Sequence, residues 1–535
     1  MNAALAKLDE FTGSRAEGST ARWLDRIAFV FLVLMVIFAP HSIAATQTAW
    51  LSGMLFFIAR LFFKPRPSLK GGPVGIALIA LFAWSVVTVF TSYAPDISAG
   101  KLKQAGLFLI FFLVIGVVRS SKSVYLLVFA LVASCMVNVL LMPIQRIVGR
   151  GVEIKSMRSD GILARAGFIP GDILLEADGI KITAPEDVAA SLRGKSTVNL
   201  KYQNSEFYYS RDVVADAASP EEIDASGIGI TEWKRSRSWR SAGFYGHYTT
   251  YAEVLQLIGS LVFGLFVAAF LAKNKDIKFS TFTRSPAALR TSSFRFLYTG
   301  VFAAFCFAAF CLALLLTVTR GPQFAFLISC FFVLLLGASR KWLITAMVAA
   351  IPVAALGLFV LQRSRDVGFV DPKDAGQNWR MMMYREGVML WTNSPRNFIF
   401  GVGMDSIKRY ACDWGLYDNC RSEFRSHFHS TPIQLAVERG LPGLLLWLTV
   451  LAIYARSMWR SLRGDASETE WKSGRMVPEH SPTLDRGIWL GALGGLIGFF
   501  ASSLVHFNYG DGEVVMVLYL IMGLSVKTTH LARGT

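Results

Sequence analysis

The run IAFVFLVLMVIFAPHSIAA, Ile27 to Ala45, is the first long apolar stretch of the chain. It follows a polar start and has no small-residue cleavage site behind it. It therefore reads as a membrane helix and not as a removable signal peptide. Comparable runs recur along the 535 residues, which are 53% hydrophobic with a mean hydropathy of +0.45. That balance excludes an ordinary soluble multidomain protein. About twelve spans are expected, near 27–45, 47–63, 73–91, 103–118, 123–144, 248–272, 298–318, 322–338, 342–361, 433–455, 487–506 and 513–527.

The net charge of +17 would suit nucleic acid, but its distribution argues for a membrane. Lys and Arg collect in alternate loops: RLFFKPRPSLK, RSSK, the long loop after residue 272, SRK, and the loop after residue 455. The turns APHSIAATQ, TSYAPDIS and HFNYGDGE contain neither. By the positive-inside rule both termini are cytoplasmic. The chain then divides into five parts: membrane helices over 1–145, an outer module over 146–230, helices over 231–361, a large outer loop over 362–432, and helices over 433–535. Cys135, Cys306, Cys311 and Cys330 fall in spans and read as packing residues, while Cys412 and Cys420 lie in the outer loop. In an oxidising compartment that last pair could close a short loop.

The outer module does not read as membrane. Short β-rich runs (151–154, 172–176, 197–202) alternate with the turn signals IPGD and ADG, and APEDVAASLRG has helix character. Ala164 to Gly179 resembles the core of a bacterial PDZ domain, A-x-x-A-G-L-x-x-G-D-x-I-L-x-x-(D/N)-G. The resemblance implies an α+β fold that takes extended peptides by strand addition, with the carboxylate loop near Gly149 to Ile154. No first strand is evident before Gly151, and ASGIGITEW is a candidate to supply one from the other end. A spacer without a peptide ligand is the alternative.

Three polar clusters share the outer face. RSRSWRSAGFYGHYTTYAE holds Arg235, Arg237, Arg240 and His247; LTVTRGP holds Thr319 and Arg320; FRSHFHSTPIQLAVERGLPG holds His427 and His429. Arg235 and Arg237 are explained by snorkelling to headgroups. An outer Arg320 goes against the positive-inside rule and suits an anionic partner such as phosphate. Ser430 or Thr431 can cap a short helix that has Pro432 in its first turn and ends at Gly440, with Pro442 opening the next helix. His429 then lies at a helix N-terminus, where an imidazole stays neutral and can act as a general base. His-x-His without HExxH or a cysteine pair makes a weak metal motif, so no metal and no cofactor are expected. A composite site with His506, Asp511 and Glu513 is the alternative.

Together these clusters resemble the O-antigen ligase and polymerase superfamily of inner-membrane proteins. His429-Ser430, nine residues, then Gly440-Leu-Pro-Gly443 matches the ligase motif His-(Asn/Ser/Gln)-x9-Gly-x-x-Gly. TVTRG, RSAGFYGH and RMMMYREGVMLWTNSPRNFIFGVG match further landmarks and place Arg320, Arg240 and Arg380, with Tyr384 where a Trp is usual. The resemblance implies a metal-independent glycosyltransferase whose donor is a glycan on undecaprenyl pyrophosphate. In it, Arg240 and Arg320 hold the pyrophosphate and His429 deprotonates an acceptor hydroxyl. Arg380, His427, Thr319 and His247 contact substrate. The acceptor is lipid A–core for a ligase, or another lipid-linked repeat for a polymerase. The PDZ-like insert departs from the usual ligase and could dock a protein partner. A PDZ-containing membrane protease lacks its HExxH here, and a transporter would show broken, charged spans.

Overall fold

A computed structural model describes residues 8–14, 18–193, 195–204, 207–214, 227–237, 240–270, 286–349, 375–421, 427–464 and 481–533. The chain divides into two compact units, one of residues 1–138, 244–315 and 319–535, the other of residues 139–243 and 316–318.

The larger unit is helical. The long helices, each with most of its residues in this unit, are α1 (Ser19–Phe38), α2 (Ile43–Arg60), α3 (Gly72–Phe90), α4 (Pro95–Val117), α5 (Ser121–Val148), α6 (Tyr248–Phe270), α7 (Pro286–Leu316), α8 (Arg320–Gly337), α9 (Ala375–Thr392), α10 (Thr431–Leu462), α11 (Pro482–Ser503) and α12 (Gly512–Ala532). Among the described residues eight are long and apolar enough to cross a membrane: α3 to α6, α8, and α10 to α12. This is a multi-pass membrane protein. The expected spans at 27–45 and 47–63 overlap α1 and α2, which are helices but are not among these eight. Asp25 and Arg60 in these helices pair at 3.1 Å in the interior. Residues 350–361 of the expected ninth span lie outside the described residues.

Glycine lets the central helices approach. A Cβ on Gly264 of α6 would lie 2.2 Å from the Gly491 nitrogen of α11, and one on Gly491 would lie 2.5 Å from the Leu261 Cα. This close backbone packing is how membrane helices associate without a hydrophobic drive between them. At one end of the bundle Asp25 binds Arg119 through two hydrogen bonds (2.6 and 3.0 Å) and accepts from Ser14. At the other end the Tyr245 hydroxyl donates to the Ala39 carbonyl at 2.8 Å, the Tyr93 nitrogen to the Val402 carbonyl at 3.1 Å and the Thr431 nitrogen to the His506 carbonyl at 3.2 Å.

The segment 375–437 builds a small core of its own around Met383, Val402, Ile407, Tyr417, Phe428 and Val437. Cys412 and Cys420 form a disulfide in it, and Glu386 accepts from the nitrogens of Tyr417 (2.8 Å) and Asp418 (3.2 Å).

The second unit is an antiparallel sheet of β1 (Arg150–Met157), β2 (Ile173–Ala177), β3 (Ile180–Lys181), β4 (Thr197–Asn204), β5 (Phe207–Val214) and β6 (Ile230–Ser236). Its order is β5-β4-β2-β1-β6, with β3 on β2. The helix Pro185–Leu192 packs Val188, Ala189 and Leu192 into the core with Val152, Ile154 and Leu174. The segment after Gly227 supplies the strand that was not evident before Gly151. β6 lies on β1 with Ile154 opposite Trp233 and Glu153 opposite Lys234. β1 thus has β2 on one side and β6 on the other, and β6 is the edge strand.

Candidate active site

The histidine pair flanks a buried anchor. Phe428 is fully buried in the core of segment 375–437, and its nitrogen donates to Gln434 Oε1 at 2.9 Å. His427 and His429 therefore leave the chain on either side of an anchored residue, with ring centroids 4.2 Å apart. The His429 nitrogen donates to His427 Nδ1 at 3.4 Å, which leaves the proton of a neutral His427 on Nε2.

His429 itself has φ of +50°. The turn is held from α9: Tyr384 donates to the His429 carbonyl at 3.2 Å, and Trp379 meets the imidazole edge-on at 5.1 Å. Ser430 is the N-cap of α10, as read from the sequence, but its side chain makes no capping bond. Thr431 faces away from the helix instead. Its nitrogen and hydroxyl donate to the His506 carbonyl at 3.2 and 3.1 Å, and its hydroxyl lies 3.0 Å from Asn508 Oδ1.

The first section of α10 ends at Gly440 (φ 66°, ψ −175°), after which Pro442 stands in the continuing helix. The break locks onto the loop after α9. Val402 and Gly403 donate to the carbonyls of Val437 and Glu438 at 2.8 and 3.0 Å, and the Asp405 nitrogen donates to the buried Glu438 carboxylate at 3.0 Å.

The remaining predicted residues fall in three places. Arg380 of α9 and His247, just before α6, lie close enough to oppose a positive charge on His429. Thr319 is the buried N-cap of α8 and Arg320 its first residue. A Cβ on Gly321 would touch Val505 at 3.3 Å, so that turn borders the segment carrying His506. Arg240 belongs to the other unit, after β6.

Burial is the main reason that the two imidazoles stay uncharged. It pulls His427 down to about 4 with help from His506, and it holds His429 lower still with help from His427, His506 and Arg380. Burial, more than the helix terminus, thus accounts for a neutral His429. His506 goes the other way: burial opposes its charge, but Glu253, 3.4 Å from Nδ1, and Asp511 outweigh it. Glu253 was missed from sequence, where it is a lone carboxylate in an apolar run. Among the described residues no three His, Cys, Asp or Glu are grouped so as to hold a metal ion.

A neutral imidazole on a strained corner, with cations around it, is suited to taking a proton beside an anionic leaving group. Residues 304–448, which contain α8, α9 and the histidine pair, match the O-antigen ligase family, and residues 153–204 match the PDZ domain. The chain carries an O-antigen ligase family domain with a PDZ domain insert. The O-antigen ligase domain ties the chain to lipid-linked glycan transfer of the ligase and polymerase type. No curated protein matches the chain in sequence.

Proposed function

We propose that the protein is an O-antigen ligase-type glycosyltransferase of the bacterial inner membrane, with about twelve spans, both termini cytoplasmic and its site on the periplasmic face. The alternation of basic and uncharged loops supports that orientation. The observation that carries the reading is His429, neutral at its +50° corner between His427, Trp379 and Tyr384, inside the family domain.

The donor is a glycan on undecaprenyl pyrophosphate and the acceptor a hydroxyl of lipid A–core. His429 takes the hydroxyl proton as the oxygen bonds to the anomeric carbon. The bond from that carbon to the pyrophosphate oxygen breaks, and its electron pair leaves with the pyrophosphate. Arg320 and Arg240, assigned to the pyrophosphate by family resemblance, stabilise the charge that develops there. Arg380, His427, Thr319 and His247 orient donor and acceptor. Pyrophosphate leaves readily, so the step needs neither nucleotide nor metal.

The test is a glycolipid profile of a deletion strain carrying the wild-type gene, His429→Ala or Arg320→Ala. A ligase predicts that both variants reach the membrane, attach no long chains to lipid A–core, and strand full-length glycan on undecaprenyl pyrophosphate. Surface glycan of one repeat would mark a polymerase instead. Normal profiles with His429→Ala would remove the base assignment.

A further inference from the structure

Glu253 is a carboxylate in the second turn of the apolar helix α6, with no exposed surface. A buried ionised carboxylate in such a helix costs several kcal/mol unless it is paired and hydrogen-bonded, and it is then a functional candidate. Its partners all come from the end of α11 and the loop that follows. Ser502 donates to Oε1, Asn508 Nδ2 donates to Oε2 at 3.3 Å, and His506 Nδ1 lies 3.4 Å from Oε1.

His506 in turn stands between this carboxylate and the histidine pair. Its ring centroid is 6.5 Å from that of His427, and its carbonyl takes both donors of Thr431, the first residue of α10. One residue thus connects Glu253 to the histidine pair by charge and to the start of the helix after His429 by backbone.

Resting on the glycan-transfer reading above, we propose that Glu253 and His506 are a positioning pair for His429. Glu253 retains a cationic His506, which fixes the entry to α10 and repels a second positive charge from the His427–His429 pair.

The charges that face the pair agree. His506 faces Glu253, Asp511 and Arg380; Asp511 accepts from Thr250 at 3.0 Å and also faces Glu513. His429 faces His427, His506, Arg380 and His247, and His427 also faces Lys408 and Asp405. Of these only Asp405 favours a charged imidazole in the pair, so loss of the cation at His506 is felt at His427 and His429. The sign follows. Replacing Glu253 by a neutral group leaves only Asp511 to oppose burial and Arg380 at His506, which favours its discharge, and the affinity of the pair for protons then rises.

The experiment compares the full-length protein in detergent with Glu253→Gln, Glu253→Asp and His506→Gln. Two readouts are used: nitrogen-15 histidine spectra against pH, assigned with His427→Gln, and the pH dependence of kcat/KM for transfer from a lipid-linked glycan. Glu253→Gln and His506→Gln are expected to move the His427–His429 titration and the acid limb of kcat/KM upward by about one pH unit. Glu253→Asp keeps both where the wild type has them. The spectra report without any turnover, so a wild type that transfers no glycan, with the titration still shifted in Glu253→Gln and His506→Gln, would overturn the functional reading and leave the pair standing. Superimposed titrations in all four proteins, or equal losses at every pH in Glu253→Gln and Glu253→Asp, would overturn the pair. If Glu253→Gln does not purify as a single species, His506→Gln decides by the same criteria.

Discussion

His429 is held in a backbone conformation that costs an L-residue roughly 1–2 kcal/mol. Such strain persists only where surrounding contacts over-determine it, and it clusters at functional sites. Tyr384 is one of those contacts, through its hydroxyl on the His429 carbonyl. Tyr384→Phe keeps the ring and removes that donor. A hydrogen bond of this kind contributes about 0.5–1.5 kcal/mol, so kcat is expected to fall about three- to tenfold with little change in KM. Steady-state kinetics on purified variants check this; an unchanged kcat would mean that the corner holds without the tyrosine. The sequence pointed to Tyr384 only as a departure from the family's Trp, because its target is a backbone carbonyl 45 residues away. Glu253 was less visible still. Its partners Ser502, His506 and Asn508 are about 250 residues downstream, so nothing near it in sequence distinguishes it from a misplaced polar residue.

At the scale of elements the spacing from His429 to Gly440 has a physical content that could be read early. Nine residues make about two and a half helical turns, and the glycine marks where that helix must stop. The structure adds the reason for glycine: φ is +66°, and a Cβ would lie 2.0 Å from the Ile399 carbonyl oxygen. What the sequence did not show is the loop lying against the break, Gly401 to Asp405, whose bonds to Val437 and Glu438 fix the direction of the short helix. Gly440→Ala must therefore push the two backbones apart as well as bear a left-handed residue. A loss of about 2–4 kcal/mol is expected, together with loss of transfer. Gly100→Ala is the matched control, since Gly100 is helical and its Cβ would meet nothing within 4 Å. That change should be neutral or stabilising by up to about 1 kcal/mol. Thermal melts of the two variants in detergent separate the outcomes, and equal melting temperatures would show that Gly440 is not a required break.

For the whole molecule, hydropathy made the membrane class plain because each apolar run is a local signal. The ends of α10 and α11, and the pairing of β6 with β1, are set by contacts between distant segments and were only partly visible. The PDZ insert has a feature that matters for its role. Its first and last strands pair, with Arg150 opposite Ser236, so the chain leaves the sheet beside where it entered. An insert closed on itself in this way can be removed with little demand on the flanking chain, as domains with neighbouring termini generally can. It also has its own core of Val152, Ile154, Leu163, Leu174, Val198 and Leu200. Replacing residues 150–236 by a short Gly-Ser linker is therefore expected to leave a membrane-inserted protein that still transfers glycan, with His429 and Arg320 as essential as before. The change should appear in glycan chain length or in proteins that co-purify with the wild type, which a glycolipid ladder and cross-linking would show. Loss of all transfer in a deletion that extracts and melts like the wild type would mean that the insert shapes the active site and is not a docking module.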